Sequence, residues 1–400
     1  MEMHYSLCSK RTKGSEIREV LKYTRLPGVI SFAGGLPDPS LFPLEEITRI
    51  TSEILKEKGF LALQYGPTQG ESEMLEALIY HMEMYGEKAN RDNLCVTSSS
   101  QQGLDLVALT HLDPGDEVVM ELPSYLGAIQ AFERSGAVMN GIPLEADGMN
   151  MDMLEELLSR REEEGKKIRF IYVIPDFQNP AGLVMSLAKR QKLIELSRRF
   201  QVPLIEDCPY REICFCGQVL PSLWTLSEGE GVIQLKTFSK MLFPGMRLGW
   251  ITAAPEVIAK LALMKQSVDL CSPTFNQLIV SKYIMENRMK ETIGRAVELY
   301  RNKNAVMVSA LREFMPDYIH WTEPDGGMFL WVTLPNGWNA ADMIKMAAEQ
   351  GVVFVTGRPF HCNEEGANTL RLNFSFPTPE QIRTGIQRLA QTIREYAATR

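Results

Sequence analysis

A chain of 400 residues is too long for one simple hydrophobic core, so we expect two domains. Hydrophobic residues make up 45% of it and charged residues 23%, which is the balance of an ordinary soluble globular protein. The formal net charge of −8 argues against nucleic acid or an anionic membrane surface as a partner.

Much of the chain before residue 255 shows the alternation of an α/β protein. The first 45 residues are predicted to form an arm with a helix and a turn-rich stretch, "FAGGLPDPSLFP". From about residue 90 to 255, short apolar runs alternate with helical patterns, which is typical of a mostly parallel sheet. A helix is predicted from about Gln101 to His111, and Ser186 is predicted to cap another. The runs predicted as strands are "LCVTSS", "EVVMEL", "IRFIYVIP", "VPLIED", "GVIQLKT" and "RLGWITA".

The character of the chain changes after residue 255. Residues 256–313 are predominantly helical, and the rest mixes helices with the short strands "GGMFLWVTL", "GVVFVTG" and "TLRLNFS". We therefore expect an N-terminal arm at 1–45, a large domain at 46–290 and a small α+β domain at 291–400.

Several kinds of site are not indicated. The seven cysteines are odd in number and irregular in spacing, which favours reduced thiols over a disulfide framework. The five histidines lack the spacing of metal ligands, so no metal is expected. Because no apolar run is long enough for a membrane span or a secretion signal, we expect no membrane partner and a cytoplasmic location.

Polar and aromatic side chains follow the predicted strands, at the edge of a parallel sheet where ligands bind. Singly, each has an ordinary role as a helix cap, a turn residue or packing. Together they supply what pyridoxal 5′-phosphate (PLP) needs: an amine for its aldehyde, a carboxylate for its ring nitrogen, donors for its ring oxygen, and a cation with hydroxyls for its phosphate. These residues are Ser98, Ser99, Ser100, Gln101, Tyr125, Asn179, Asp207, Tyr210, Lys240 and Arg247.

Six stretches in a fixed order make the chain resemble a known family. They are "ISFAGGLPDPSLFP", "LQYGPTQG", "FQNPAG", "EDCPY", "TFSKMLFPGMRLGW" and "LRLNFS". Over nearly all its length the chain resembles the class I aminotransferases of PLP fold type I. Its opening, "SEIREVLKYTRLPGVISFAGGLP", is similar to that of the 2-aminoadipate and kynurenine aminotransferases.

This resemblance implies a fold and an activity. The implied fold is α/β, with a mostly parallel seven-stranded sheet between helices in the large domain and a smaller α+β domain. The implied reaction moves an amino group from an L-amino acid to a 2-oxo acid, 2-oxoglutarate being the expected acceptor, by a ping-pong mechanism.

The resemblance also implies the residues that hold PLP. Lys240 would bond to the cofactor and carry the proton that moves, Asp207 would pair with the ring nitrogen, and Tyr125 would stack on the ring. Asn179 and Tyr210 would reach the ring oxygen. The implied phosphate ligands are Ser100, Gln101, Thr237, Ser239 and Arg247. Ser99 stands in the same turn, where the family usually has glycine.

Further residues are implied to contact the substrate or a second subunit. Arg371 would bind the substrate's α-carboxylate, with Asn179 and the backbone of Gly35 beside it. Arg18 would pair with a distal carboxylate on the substrate side chain. Tyr65 occupies the position that reaches the phosphate in a neighbouring subunit, which implies a homodimer with shared active sites.

Two alternatives remain open at this point. A lyase, a decarboxylase or a cyclopropane-carboxylate synthase of the same fold would use the same cofactor residues. Some transcription regulators carry an aminotransferase-like, non-catalytic PLP-binding effector domain behind a winged helix, whereas about 25 residues precede "GVISFAGG" here. The donor also remains open among aromatic, branched-chain, 2-aminoadipate and dicarboxylic amino acids.

Overall fold

The computed structural model describes residues 3–12, 14, 22 and 27–400. In that part of the chain the α-helices are Leu7–Arg11, Leu44–Ala62, Ser72–Met84, Ser99–His111, Leu126–Ser135, Met151–Glu163, Leu187–Phe200, Leu223–Leu226, Pro255–Asp269, Thr274–Met285, Arg288–Phe314, Ile344–Glu349 and Pro379–Ala398. None of these helices is long and apolar enough to cross a membrane.

The large sheet contains the six strands predicted between residues 90 and 255. Across the sheet the strands follow the order Leu94–Thr97, Gly249–Thr252, Val232–Thr237, Leu204–Asp207, Ile168–Val173, Glu117–Leu122, Val138–Glu145 and Gly148–Met149. The five strands from Val232–Thr237 to Val138–Glu145 run parallel, and Gly249–Thr252 is antiparallel to both of its neighbours. The sheet is therefore mixed but mostly parallel, as expected.

At one edge, the large sheet differs from the seven strands that were expected. Val138–Glu145 folds back on the two-residue strand Gly148–Met149 and makes it the eighth strand. The backbone reverses through Gly148 at a φ of 115°, a conformation that residues with a side chain rarely adopt. The hairpin is too short to leave a period-two pattern in the sequence.

The sheet strand Val232–Thr237 carries a charged residue that is buried on the face away from its apolar neighbours. In Val232–Thr237, Ile233 and Leu235 pack into an apolar core, while Lys236 points to the other face. There the Lys236 ammonium donates to Glu87 at 2.5 Å and to Glu212 at 3.3 Å. The buried charge of Lys236 is thus paired with opposite charges.

A second, smaller sheet follows the long helix Arg288–Phe314. Its antiparallel strands lie in the order His320–Trp321, Phe329–Thr333, Thr369–Asn373 and Val355–Thr356. The first turns of the long helix pack into the core of the large sheet, and its later turns pack against the small sheet. The predicted boundary at residue 291 falls inside this helix.

The N-terminal segment packs beside the small sheet, in the same apolar core. Ile30–Ser31 pairs in parallel with Val352–Val353, and Phe32 is fully buried beside them. The chain then continues through residues 33–36 toward the ends of the large-sheet strands. Two of its backbone carbonyls contact side chains of the candidate site.

Candidate active site

A cavity of about 290 Å³ opens at the C-terminal ends of the large-sheet strands. It brings together eleven of the twelve residues predicted to hold a cofactor. They are Ser99, Ser100, Gln101, Tyr125, Asn179, Asp207, Tyr210, Thr237, Ser239, Lys240 and Arg247. Ile174, Pro209 and Pro244 complete the lining.

One end of the cavity is built from hydroxyl groups and a cation. The Ser99 hydroxyl lies 3.2 Å from that of Thr237 and 3.4 Å from that of Ser239. The Arg247 guanidinium donates to the Ser239 hydroxyl at 3.4 Å. Ser99 also begins the helix Ser99–His111, whose first backbone N–H groups have no partner within the helix. This end is therefore suited to a phosphate dianion.

The helix start can approach the sheet because the neighbouring strand begins with glycine. A Cβ on Gly249 would lie 2.5 Å from the carbonyl oxygen of Lys236 and 2.9 Å from the backbone nitrogen of Ser100. Both distances are too short for any side chain. The glycine in "RLGW" thus serves the phosphate end as well as the strand.

A buried carboxylate lies at the middle of the cavity. Asp207 ends the strand Leu204–Asp207 and is almost fully buried. Its Oδ2 accepts a hydrogen bond from the Tyr172 hydroxyl at 2.7 Å, whereas its Oδ1 is buried without a hydrogen-bond partner among the described residues. Burial raises the pKa of Asp207 to about 7, against the opposing hydrogen bond from Tyr172.

Two donors stand on the next loops. Asn179 donates to the hydroxyl of Tyr210 at 3.3 Å, and both side chains are buried. Burial raises the pKa of Tyr210 far above its usual value, so this phenol keeps its proton and can donate it in a hydrogen bond.

The buried arginine of the site comes from the small sheet. Arg371 donates to the side-chain oxygen of Asn179 and to the carbonyl of Ala33, both at 2.9 Å. Its guanidinium lies 4.0 Å from the ring centre of Phe329. Burial lowers its pKa to about 10, and no carboxylate among the described residues pairs with it. A buried cation without an internal counter-ion is a site for an anionic ligand.

The amine of Lys240 lies between these groups. Its Nζ donates to the carbonyl oxygen of Gly35 at 2.6 Å. Burial, together with the positive charges of Arg371 and Arg247, lowers the pKa of Lys240 to about 8. About a tenth of this amine is therefore neutral at pH 7, far more than for a lysine of ordinary pKa, and the neutral form is the nucleophile.

An aromatic side chain closes one side of the cavity. Tyr125 stands at the start of the helix Leu126–Ser135 and donates from its hydroxyl to Gln101 at 3.4 Å. Gln101 in turn donates to the carbonyl of Gly127 at 3.1 Å. These contacts keep the Tyr125 ring at the cavity wall, where a flat cofactor ring could stack on it.

PLP matches this set of groups. The unpartnered Oδ1 of Asp207 suits its ring nitrogen, Tyr210 and Asn179 suit its ring oxygen, and Lys240 suits its aldehyde. The hydroxyl cluster with Arg247 suits its phosphate. The residues present therefore fit the cofactor that the sequence predicts.

The remaining predicted residues are Tyr65, Gly35 and Arg18. Tyr65 is 77% exposed and does not line the cavity of its own chain. Gly35 is at the cavity, where its backbone contacts Lys240 as described above. Arg18 lies outside the residues that the structure describes.

Sequence reasoning did not find Tyr172, although it donates directly to Asp207. It lies inside a predicted strand, "IRFIYVIP", rather than at the strand's end, so the search at strand ends passed over it. The available signal was a polar hydroxyl within an otherwise apolar buried strand, where it needs a partner.

Comparisons with known proteins agree with this geometry. Residues 33–389 match the family described as aminotransferase class I and II. The chain is 44% identical to the aromatic-amino-acid aminotransferase 1 of Thermococcus litoralis, over 98% of this chain and 95% of that protein.

Solved structures are similar over nearly the whole chain. The kynurenine aminotransferase of Pyrococcus horikoshii, solved with PMP, kynurenine and its product, has a TM-score of 0.94 and 40% identity, covering 98% of this chain and 97% of that one. The alpha-aminoadipate aminotransferase of Thermus thermophilus, solved with N-(5′-phosphopyridoxyl)-L-leucine, has a TM-score of 0.92 and 39% identity, covering 99% and 98%. The similarity thus runs through both sequence and fold.

The low pKa of Lys240 gives a testable pH dependence. Protein freed of cofactor should bond to added PLP at a rate that rises with pH and levels off above about 8, because the neutral amine reacts. Visible absorbance would follow the reaction, and borohydride reduction with peptide mapping should place the adduct on Lys240. Lys345, which is exposed and lies outside the cavity, is the internal control and should carry no adduct. An adduct mainly on another lysine would contradict the assignment.

Proposed function

The chain belongs to the aminotransferases of class I and II, and from that membership we propose that it transfers amino groups from several kinds of L-amino acid to a 2-oxo acid. The chain is an aminotransferase, and its cofactor is PLP. Its relatives act, by their names, on aromatic amino acids, 2-aminoadipate and kynurenine. We take these as the donor classes of a broad-specificity enzyme and 2-oxoglutarate as the acceptor.

The observation that carries the proposal is the placement of Lys240 beside Arg371. Lys240 lines the cavity, and its amine has a lowered pKa. The Arg371 guanidinium has no carboxylate partner among the described residues, bonds to Asn179 in the cavity lining, and is close enough for its charge to lower the pKa of Lys240. Arg371 would bind the carboxylate that all α-amino acids and 2-oxo acids share. Lys240 would then stand near the α-carbon of the bound molecule.

Each residue has a role that follows from its contacts. PLP, when bound, supplies an aldehyde for the amino group and a ring that accepts electrons from the α-carbon. Lys240 Nζ would take the proton from the substrate's α-carbon and return it during the transfer. Asp207 would hold a proton at the ring nitrogen.

The remaining residues would bind and orient. Tyr210 and Asn179 would donate to the ring oxygen, and Tyr125 would cover the ring. The phosphate would lie in the hydroxyl cluster at the start of the helix Ser99–His111. Because donor and acceptor both carry an α-carboxylate, one site can serve both half-reactions in turn, as a ping-pong mechanism requires.

A panel of amino acids tests this proposal. With one amino acid and no acceptor, the loaded enzyme should release one equivalent of 2-oxo acid, and its absorption should change to that of pyridoxamine 5′-phosphate. Adding 2-oxoglutarate should reverse the absorption change. A lyase or a decarboxylase would release ammonia or carbon dioxide instead and would leave the cofactor in its aldehyde form. Lys240→Ala is the control, since it should bind PLP and show no release.

A shared active site is the second part of the proposal. Tyr65 is exposed, and Phe60 and Leu63 nearby are 100% and 76% exposed, which is unusual for apolar side chains so close together. We propose that this face packs against a second copy and that Tyr65 reaches the partner's phosphate site.

Subunit mixing tests the shared site. Inactive Lys240→Ala mixed with impaired Tyr65→Phe should give hybrid dimers with one fully native site, so that activity rises above that of either variant alone. Mixing two samples of the same variant is the control. If activity does not rise after subunit exchange has been verified, Tyr65 does not act across the interface.

Arg18 gives a prediction about substrate choice. On the evidence of the resemblance alone, its guanidinium would pair with the distal carboxylate of 2-oxoglutarate or 2-aminoadipate. Arg18→Ala should raise KM for such substrates roughly tenfold, as expected for losing a charge-assisted hydrogen bond. Aromatic donors in their own half-reaction should be unaffected, and Lys10→Ala in the same arm should change neither. Equal losses for both substrate types would contradict this role.

A further inference from the structure

The hydrogen bond between Tyr172 and Asp207 lies behind the cavity and is isolated from solvent. The Tyr172 hydroxyl donates to Asp207 Oδ2 at 2.7 Å, and both residues are buried. Among the residues that the structure describes, Tyr172 is the only one whose side chain donates a hydrogen bond to the Asp207 carboxylate. The other oxygen, Oδ1, has no partner there.

The sheet register explains how the two residues meet. Tyr172 of Ile168–Val173 lies opposite Ile205 of Leu204–Asp207, and Asp207 is two positions further along the same strand. Side chains two apart share a face, so Asp207 is a diagonal neighbour of Tyr172, within reach of a long aromatic side chain.

The ring of Tyr172 is held from the other side. It packs edge-on against Phe132, with the ring centres 5.6 Å apart and the planes at 79°. Packing against Phe132 therefore fixes the position of the Tyr172 hydroxyl, and the hydrogen bond from this hydroxyl sets the orientation of the Asp207 carboxylate.

Other ionisable groups near Asp207 do not bond to it. Glu121 is buried on the neighbouring strand, where its carboxylate accepts from the backbone of Ile174 and the side chain of Gln178. Tyr125 donates to Gln101, and the hydroxyl of Tyr210 accepts from Asn179. Among these groups, only Tyr172 donates a hydrogen bond to the Asp207 carboxylate.

We propose that Tyr172 is a positioning residue that turns Oδ1 of Asp207 toward the cofactor's ring nitrogen and keeps the carboxylate ionised there. This rests on the proposed function, because it assumes that PLP binds with its nitrogen at Asp207. Tyr172 does not line the cavity, so it acts through Asp207 and does not contact the substrate.

The physical basis is a balance between burial and hydrogen bonding. Burial disfavours the charged carboxylate, and a donor to that carboxylate favours it. Both effects act on the pKa of Asp207, with burial the larger of the two. Without the Tyr172 hydroxyl, burial is less opposed, and a proton shared with the ring nitrogen moves toward Asp207.

The test is Tyr172→Phe, which removes the hydroxyl and keeps the ring packed on Phe132. Loaded with PLP labelled with ¹⁵N in its ring, the variant should show a ¹⁵N NMR signal shifted from the protonated toward the unprotonated nitrogen. The dissociation constant for PLP should rise roughly tenfold, and kcat should fall while KM for the amino acid stays unchanged. The control is Tyr283→Phe, a buried tyrosine whose hydroxyl bonds to Thr292 away from the cavity.

A double-mutant cycle separates action through Asp207 from a general effect on packing. In an Asp207→Asn background, Tyr172→Phe should cause little further weakening of PLP binding. Equal weakening in both backgrounds, or an unchanged ¹⁵N signal in Tyr172→Phe, would overturn the proposal. If the unaltered protein formed no borohydride-stable adduct at Lys240, the proposed function would fail instead.

Discussion

The structure depends on which of its buried charges are compensated within the protein and which are not. On the face away from the cavity, the charges of Lys236, Glu87 and Glu212 compensate one another. At the cavity, Asp207 of the large sheet and Arg371 of the small sheet have no opposite charge among their described partners. Since an uncompensated buried charge destabilises the folded protein, the cavity side is arranged for a ligand that supplies the missing charges.

A second group of compensated charges, Asp176 with Arg190 and Arg211, fixes the loops that carry the site. Asp176, three residues before Asn179, bonds to Arg190 at 2.6 Å and to Arg211 at 2.8 Å. Arg211 directly follows Tyr210 in the chain. The loops of Asn179 and Tyr210 are therefore joined by a buried ion pair, which fixes the two donors relative to each other before any ligand binds.

Local motifs made much of the site predictable. Residues that follow buried strands came together as expected, because parallel strands end at one edge of the sheet. Tyr172 was missed because its partner lies on another strand, and only the pairing register brings the two together. The strand Val138–Glu145 was missed for a different reason: it is mostly half-exposed and contains Gly141 and Pro143, so it lacks a continuous apolar run.

Ser99 shows how a departure from the family pattern can be compatible with the same site. Its φ of 71° lies in the left-handed region, which costs a residue with a side chain about 1–2 kcal/mol relative to glycine. The serine hydroxyl, however, bonds to those of Thr237 and Ser239. Each such bond contributes about 0.5–1.5 kcal/mol, an amount similar to the backbone cost. The turn can therefore keep its shape with serine in place of glycine, and the phosphate end gains a further hydroxyl.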